Sequence, residues 1–307
     1  MRTDLNYLPA AKLRELDRVV EMIFQGFREA TQNATGRRQK AARILKIILF
    51  GSYARGDWVD APLDANQYKS DYDILIIVNQ AELADRADYW EETEQRLVDA
   101  YLYEKVIRTP ANFIVHSLHE VNDALSHGRL IFREIVKDGI ALYQSDDREL
   151  ATFNPKTPED VYLAAKDYFE EYMGHSQSFY RGFQHAVGDG DLKKAAFDLH
   201  QATEPLYQCV MLVLTLYTPF DHNINFLRSL AEGLDHSLFN VWPRGTRAER
   251  AMYQKLKDAY RKARYSKHYE ISREELDWLG GRVEDLGRKV HDICTRRLED
   301  LQKAIPA

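Results

Sequence analysis

Leu49-Phe50-Gly51-Ser52-Tyr53-Ala54-Arg55-Gly56 and, beyond a spacer, Ser70-Asp71-Tyr72-Asp73-Ile74-Leu75-Ile76 decide how the N-terminal half of this chain is read. Ile44 to Phe50 is a short, apolar, β-branched run ended by glycine, the pattern of a buried strand. Gly51-Ser52 supplies small residues whose backbone N–H groups can approach an anion where a helix begins. Asp71 and Asp73 stand two apart at the head of a second aliphatic run, which places both carboxylates on one face of a strand. Paired carboxylates beside such a turn form a donor set for a hard divalent cation carrying a nucleoside triphosphate. A lone Gly-Ser reads more simply as a strand exit, and a lone Asp-x-Asp as a solvated strand start. Together, in order and each attached to its strand, they favour a metal site.

Outward from this core, Pro9 to Gln39 carries Leu13, Val19, Val20, Ile23, Phe24 and Phe27 at helical spacing and predicts one amphipathic helix against the sheet. Asp73 to Val78 is the second strand, Glu82 to Tyr101 a helix, and Asn112 to His116 a third strand. That strand ends at Ser117, which opens a Ser117-x-x-Glu120 capping box. A helix and a short strand at Ile140 to Tyr143 close a small α/β domain spanning residues 1–150.

The pattern changes at Asn154-Pro155-Lys156-Thr157-Pro158-Glu159, a linker that ends in an N-cap with proline at the first helical position. Residues 156–307 show no strand pattern. Helices are expected at Pro158–Val187, Asp191–Tyr217, Thr246–Tyr265 and Ser272–Lys303, with a shorter one at Ile224–Glu232. Capping boxes open two of them, at Thr246-x-x-Glu249 and Ser272-x-x-Glu275. Short connections between amphipathic helices predict an antiparallel bundle. The aromatic positions from Tyr162 to Phe183 recur at helical spacing and read as core rather than as base-stacking platforms.

Gly-Ser, a spacer and Asp-x-Asp entering an aliphatic strand resemble the signature of the DNA-polymerase-β-like nucleotidyltransferases. Gly51-Ser52-Tyr53-Ala54-Arg55-Gly56-Asp57-Trp58 is similar to the small bacterial nucleotidyltransferases that are paired or fused with a HEPN domain. The helical half resembles HEPN domains at Ala263-Arg264-Tyr265-Ser266-Lys267-His268-Tyr269-Glu270-Ile271 and at Glu204-Pro205-Leu206-Tyr207-Gln208-Cys209. The resemblance implies an α+β protein: a nucleotidyltransferase α/β domain with a mixed sheet, then an all-α HEPN-like antiparallel bundle. It implies that Gly51 and Ser52 hold the β- and γ-phosphates of an NTP, with ATP the expected one, and that Arg55 reaches phosphate. Asp71 and Asp73 would bind Mg²⁺ (or Mn²⁺) while a hydroxyl of a protein tyrosine, an RNA or a small molecule attacks the α-phosphate. A toxin–antitoxin-like role and a homodimer follow by the same analogy.

The chain departs from the family in two places. Residues 53–70 separate Ser52 from Asp71, so an insertion is expected at Asp57 to Lys69; its Pro62, Asn66 and aspartates suit a surface loop. The family also takes a third carboxylate from the following strand, and here that strand reads Ala111-Asn112-Phe113-Ile114-Val115-His116-Ser117. Asn112 or His116 would face the site, asparagine cannot take up a proton in that role, and Glu104 is too far along the chain to substitute easily. Slow turnover, or nucleotide binding without turnover, is therefore an alternative.

HEPN ribonucleases carry an Arg, then four to six intervening residues, then a His. Here Arg264 to His268 encloses three residues and Arg261 to His268 encloses six. The basic end of a helix beside a loop histidine explains Arg261, Arg264 and His268 better than a ribonuclease does, and RNA cleavage regulated by the transferase domain stands as the alternative function. Related paired systems modify a tyrosine near the HEPN histidine, which makes Tyr265 and Tyr269 candidate acceptors in this chain.

The totals bound the rest. The 307 residues suffice for two cores, and a net charge of −6 argues against a broad basic footprint for duplex nucleic acid. Cys209 and Cys294 have no metal-like spacing and read as reduced core residues, and no other histidine pair shows metal-ligand spacing beside a carboxylate. The longest apolar run, Cys209 to Leu216, is too short to span a bilayer, and no signal-peptide pattern precedes the first helix. A cytoplasmic protein without a membrane partner is expected.

Overall fold

Ile44–Phe50 forms strand β1, and its aliphatic run is buried almost throughout because it occupies the middle of a sheet. A computed structural model describes residues 1–32, 41–60, 69–146 and 148–306 of the chain. They divide into two compact units, Met1–Pro155 and Lys156–Ala307.

The first unit opens with helix α1 (Ala10–Gln32), followed by β1 and the five-residue helix α2 (Gly51–Arg55). Strand β2 (Tyr72–Val78), the short helix α3 (Arg86–Tyr89), helix α4 (Glu91–Leu102) and strand β3 (Ala111–Ser117) come next. Helices α5 (Leu118–Ser126) and α6 (Leu130–Asp138) lead to strand β4 (Ile140–Gln144). The sheet order is β3-β2-β1-β4. β1 runs antiparallel to β2 and β4, whereas β2 and β3 are parallel, so the sheet is mixed.

Alternation along each strand sorts the side chains onto two faces. Ile47, Leu49, Tyr72, Ile74, Ile76, Val78 and Phe113 join the core with Leu16, Val19, Ile23 and Phe27 of α1 and with Trp90 and Leu97. Asp71, Asp73 and Asn112 occupy the alternate positions, and α5 and α6 pack against the sheet as well. Full burial of leucine- and isoleucine-sized side chains here is worth about 1.5–3 kcal/mol each.

Several boundaries differ from the expectations. α1 ends at Gln32 within the described residues, and 33–40, where the helix was expected to continue, lie outside them. Residues 61–68, the middle of the expected insertion with Pro62 and Asn66, also lie outside. The expected Glu82–Tyr101 helix is in pieces: a 3-10 turn at Ala81–Ala84, then α3, then α4. Asp85 is extended and caps α3 by accepting the Asp88 N–H, and Trp90 leaves helical geometry. The gain is burial: the Trp90 indole lies in the core with Nε1 donating to the Leu83 carbonyl at 2.7 Å. The helix expected after Ser117 is two, separated at Gly128, whose φ of +68° suits glycine. The Ser117–Glu120 capping box is present in full.

The second unit is helical among its described residues: α7 (Pro158–Gly188), α8 (Leu192–Thr215), α9 (Ile224–Leu234), α10 (Arg247–Tyr265) and α11 (Arg273–Lys303), with a 3-10 turn at His236–Val241. α8 is the hub, packing against the other four helices, which accounts for burial on every side of its apolar stretch. Both capping boxes form, at Thr246–Glu249 and Ser272–Glu275. Cys209 and Cys294 are free thiols buried against each other, Sγ to Sγ 3.8 Å. Among the described residues no helix is long and apolar enough to cross a membrane.

Candidate active site

Strand register brings three chain segments to one end of the sheet. Phe50, the last residue of β1, pairs with Asp73 of β2, and Asp73 pairs with Asn112 of β3. Gly51 therefore leaves β1 directly beside the Asp73 carboxylate. Its φ is +72°, and a Cβ built on it would lie 2.4 Å from Asp73 Oδ2. Two independent reasons, conformation and space, thus demand glycine here. Ser52 follows in the first turn of α2, half-buried, and Arg55 is exposed with an ion pair to Asp57 at 3.2 Å. α2 stops at Gly56, whose N–H donates to the Ser52 carbonyl with φ at +87°.

Asp71 Oδ2 accepts a hydrogen bond from Asn112 Nδ2 at 2.9 Å. Asp73 is pushed up to about 8, first by burial of its carboxyl and then by the charge on Asp71, with Arg55 pulling the other way. The phenol of Tyr101 on α4 is raised by burial and also by the charge on Asp71. Among the described residues no group of three or more His, Cys, Asp or Glu side chains is arranged to hold a metal ion alone. Two carboxylates that repel one another beside a glycine turn fit a hard cation whose remaining ligands come from triphosphate oxygens and water. Asp71 and Asp73 would hold that cation.

Asn112, not His116, is the β3 residue at the site. His116 pairs in register with Ile77, and its ring lies 3.7 Å from Glu120 and against Phe132. Glu104 is exposed beyond the end of α4. The motif residues Tyr53 and Trp58 are packing elements: their rings stack at 5.4 Å, and Tyr53 meets Tyr72 at 4.5 Å.

The site's support includes residues that periodicity alone passes over. Lys12 and Glu15 of α1 are buried, and Lys12 Nζ donates to Asp60 Oδ1 and Thr109 Oγ1, each at 2.7 Å. A lysine and a glutamate inside the apolar stripe of an amphipathic helix, beside Leu16 and Val19, were the available signal. The two sides of the expected insertion are fastened together: Val59 and Ser70 exchange two hydrogen bonds at 2.9 Å, and Asp60 meets Lys69 at 3.6 Å.

In the helical unit, Arg264 lays its guanidinium over Phe197 and Tyr260 (4.8 Å each) and Tyr265 (5.0 Å). Arg261 and His268 are exposed, and the His268 N–H bonds to Ser266 Oγ. Tyr265 is largely exposed, whereas Tyr269 is buried with its hydroxyl donating to the Lys255 carbonyl at 3.0 Å. Arg264 instead sits with two histidines that spacing did not connect. His200 and His222 each stack on Tyr260, at 5.2 and 5.1 Å, and His222 Nδ1 lies 3.0 Å from the buried Glu204. Burial lowers His200 to about 3, holding its imidazole neutral beside His222 and Arg264.

A search of curated proteins finds no match to the chain. Residues 32–131, which carry β1, the Gly51-Ser52 turn, Asp71, Asp73 and Asn112, match the family model of the nucleotidyltransferase domain.

Proposed function

We propose that the N-terminal unit transfers a nucleoside monophosphate from an NTP, with ATP the expected donor, to a hydroxyl acceptor. The observation that carries this reading is the meeting of Asp71 and Asp73 with Gly51 at the ends of paired strands, inside the segment matching the nucleotidyltransferase family. Gly51 lets the chain pass close to Asp73, and Ser52 and Arg55, in the short helix that follows, would take the triphosphate oxygens. A divalent cation, Mg²⁺ or Mn²⁺, supplies charge neutralisation on the phosphates when bound. Asp71 and Asp73 orient it, and Asn112 fixes the Asp71 oxygen that faces β3. The acceptor hydroxyl gives up its proton to water as its oxygen forms a bond to the α-phosphorus, the bond to the bridging oxygen breaks, and pyrophosphate leaves with the electron pair.

The helical unit is read as HEPN-like, a partner module in a toxin–antitoxin-like or stress system that works as a homodimer. If the acceptor is a tyrosine of this chain, Tyr265 is favoured over Tyr269 because its side chain is exposed. A protein that binds nucleotide without turnover is the second reading, and Asn112 at the third-acid position favours it.

Incubation of the purified protein with Mg²⁺ and each of the four NTPs, followed by intact mass and pyrophosphate release, tests the proposal. Transfer predicts pyrophosphate release that is absent in Asp71→Ala/Asp73→Ala, with added nucleoside monophosphate mass if the chain modifies itself. NTP binding with no pyrophosphate released, across protein, RNA and small-molecule acceptors, rejects transfer in favour of the second reading.

A further inference from the structure

Two charged residues one turn apart on α1, Lys12 and Glu15, are buried under the end of the sheet that bears the candidate site. Lys12 Nζ donates to Asp60 Oδ1 and to Thr109 Oγ1, both at 2.7 Å. Thr109 Oγ1 donates onward to Glu15 Oε2 at 3.0 Å, and the Tyr72 hydroxyl donates to the same oxygen at 3.2 Å. The backbone N–H of Arg108 reaches the other oxygen, Oε1, at 3.2 Å. Lys12 Nζ also lies 5.6 Å from the centre of the Tyr53 ring.

Most residues around this pair lie covalently next to, or within a few residues of, a group of the candidate site. Tyr53 follows Ser52, Tyr72 stands between Asp71 and Asp73, and Thr109 precedes Asn112 by three residues. Asp60 neighbours Val59, which is clasped to Ser70 immediately before Asp71. Tyr72 points to the opposite face of β2 from the two aspartates, so holding its hydroxyl fixes the rotation of the strand about its own axis. Burying a lysine and a glutamate is costly in desolvation, and apolar residues of the same volume fill such a place at least as stably. A hydrogen-bonded polar network such as Lys12–Thr109–Glu15–Tyr72 instead favours one defined arrangement.

We propose that the Lys12–Glu15 pair is a positioning device for the cation-binding carboxylates, setting the spacing of Asp71 and Asp73 to Asn112 and to Gly51-Ser52 without touching the ligand. The inference rests on the nucleotidyl-transfer reading, since that reading makes Asp71 and Asp73 the cation ligands.

Direct Mn²⁺ binding to the full chain, followed by electron paramagnetic resonance well below the melting transition, tests it without reference to turnover. Lys12→Met is expected to weaken Mn²⁺ by about tenfold or more, the usual scale for residues that orient metal ligands. Thr109→Val, which keeps the shape and removes only the bridging hydroxyl, is expected to weaken it in the same direction and remains informative if Lys12→Met fails to fold. Val19→Ala, a cavity in the same helix facing the same core, is expected to lower the melting temperature with Mn²⁺ affinity unchanged. Wild-type affinity in both Lys12→Met and Thr109→Val, or an equal loss in Val19→Ala, overturns the positioning role. A wild-type chain that binds no Mn²⁺, or binds it equally as Asp71→Asn/Asp73→Asn, overturns the underlying reading as well.

Discussion

Asn112 holds Asp71 across the parallel pair of β2 and β3, Nδ2 to Oδ2 at 2.9 Å, while its own Cα partner in register is Asp73. Its amide thus binds one carboxylate of the pair while its backbone pairs with the residue that bears the other, on the strand from which the resembled nucleotidyltransferases take an acid. Asparagine can orient a carboxylate, but it takes no proton from an attacking hydroxyl. If proton removal limits transfer, Asn112→Asp should speed pyrophosphate release by about a hundredfold, the low end of what a general base contributes. Steady-state rates at saturating Mg²⁺ and NTP check this. An unchanged rate would place the limiting step elsewhere.

Asp73 gives a pH dependence with a definite direction. Its carboxyl, ordinarily near 3.8, titrates at about 8 in the folded chain, because burial and the neighbouring Asp71 both oppose its charge. Between those values the folded state keeps a proton that the unfolded chain has released. Its contribution to stability is therefore full below about pH 4 and is lost as pH rises through 8. In metal-free protein at pH 8.5, Asp73→Asn should raise the melting temperature by several degrees, at roughly 2–4 °C per kcal/mol for units of this size. Mg²⁺ should do the same for the wild type and little for the variant. Because proton and cation compete for the pair, Mg²⁺ affinity should weaken by up to about tenfold per pH unit below 8. Calorimetric titrations at pH 6, 7 and 8 read this out.

Gly51→Ala meets two obstacles at once. The backbone φ of +72° disfavours a side chain by roughly 1–2 kcal/mol. The new Cβ also falls on Asp73 Oδ2 at 2.4 Å, so the carboxylate must swing away. The expected result is a loss of about 1–3 kcal/mol together with weakened cation binding. Gly56→Ala serves as the comparison. It shares a positive φ of +87° but meets only the Tyr7 ring, at 3.9 Å, so it should lose stability while keeping cation affinity. Denaturant melts paired with Mn²⁺ titration separate the two.

The readable part of this fold was written in short-range patterns. β1 matches its expected Ile44–Phe50 span, and the capping boxes at Ser117, Thr246 and Ser272 open helices where expected, because each signal is complete within a few residues. The break at Asp85 and Trp90 was not legible, since periodicity continues through it and only the core's demand for the indole interrupts the helix. Asn112 could be named as a candidate but not chosen over His116 until the parallel register set it opposite Asp73. The Lys12–Thr109–Glu15 chain joins residues nearly a hundred positions apart, and no local pattern announces such a contact. The same holds for Tyr260 between His200 and His222.

The helical unit offers a test of buried charge in isolation from the candidate site. Glu232 on α9 accepts from Arg228 Nε at 2.7 Å and from Arg244, and all three side chains are largely withdrawn from water. Tyr253 lies under the Arg228 guanidinium at 4.4 Å and Phe239 under Arg244 at 3.8 Å, and Arg228 is buried while Arg244 is about one-third exposed. Burial pulls Arg244 down, whereas at Arg228 burial is outweighed only by the Glu232 charge and hydrogen bond together with the Tyr253 and Tyr207 phenols, which raise it. Glu232→Ala would strand two guanidiniums around one missing carboxylate. A loss of about 3–5 kcal/mol is expected, the scale for removing one partner of a buried ion pair. Glu232→Gln keeps an acceptor and should lose less. Because Glu232 and Arg228 are buried, salt screens them weakly and most of the loss should persist at 1 M NaCl. The exposed Lys166–Glu170 pair, 3.9 Å apart, gives the contrast: Glu170→Ala should change stability by no more than about 0.5 kcal/mol, and that change should vanish in salt. Urea melts of the three variants at low and high salt, followed by far-ultraviolet circular dichroism, decide the matter, and a Glu232→Ala loss that disappears in 1 M NaCl would show that the cluster is solvated after all.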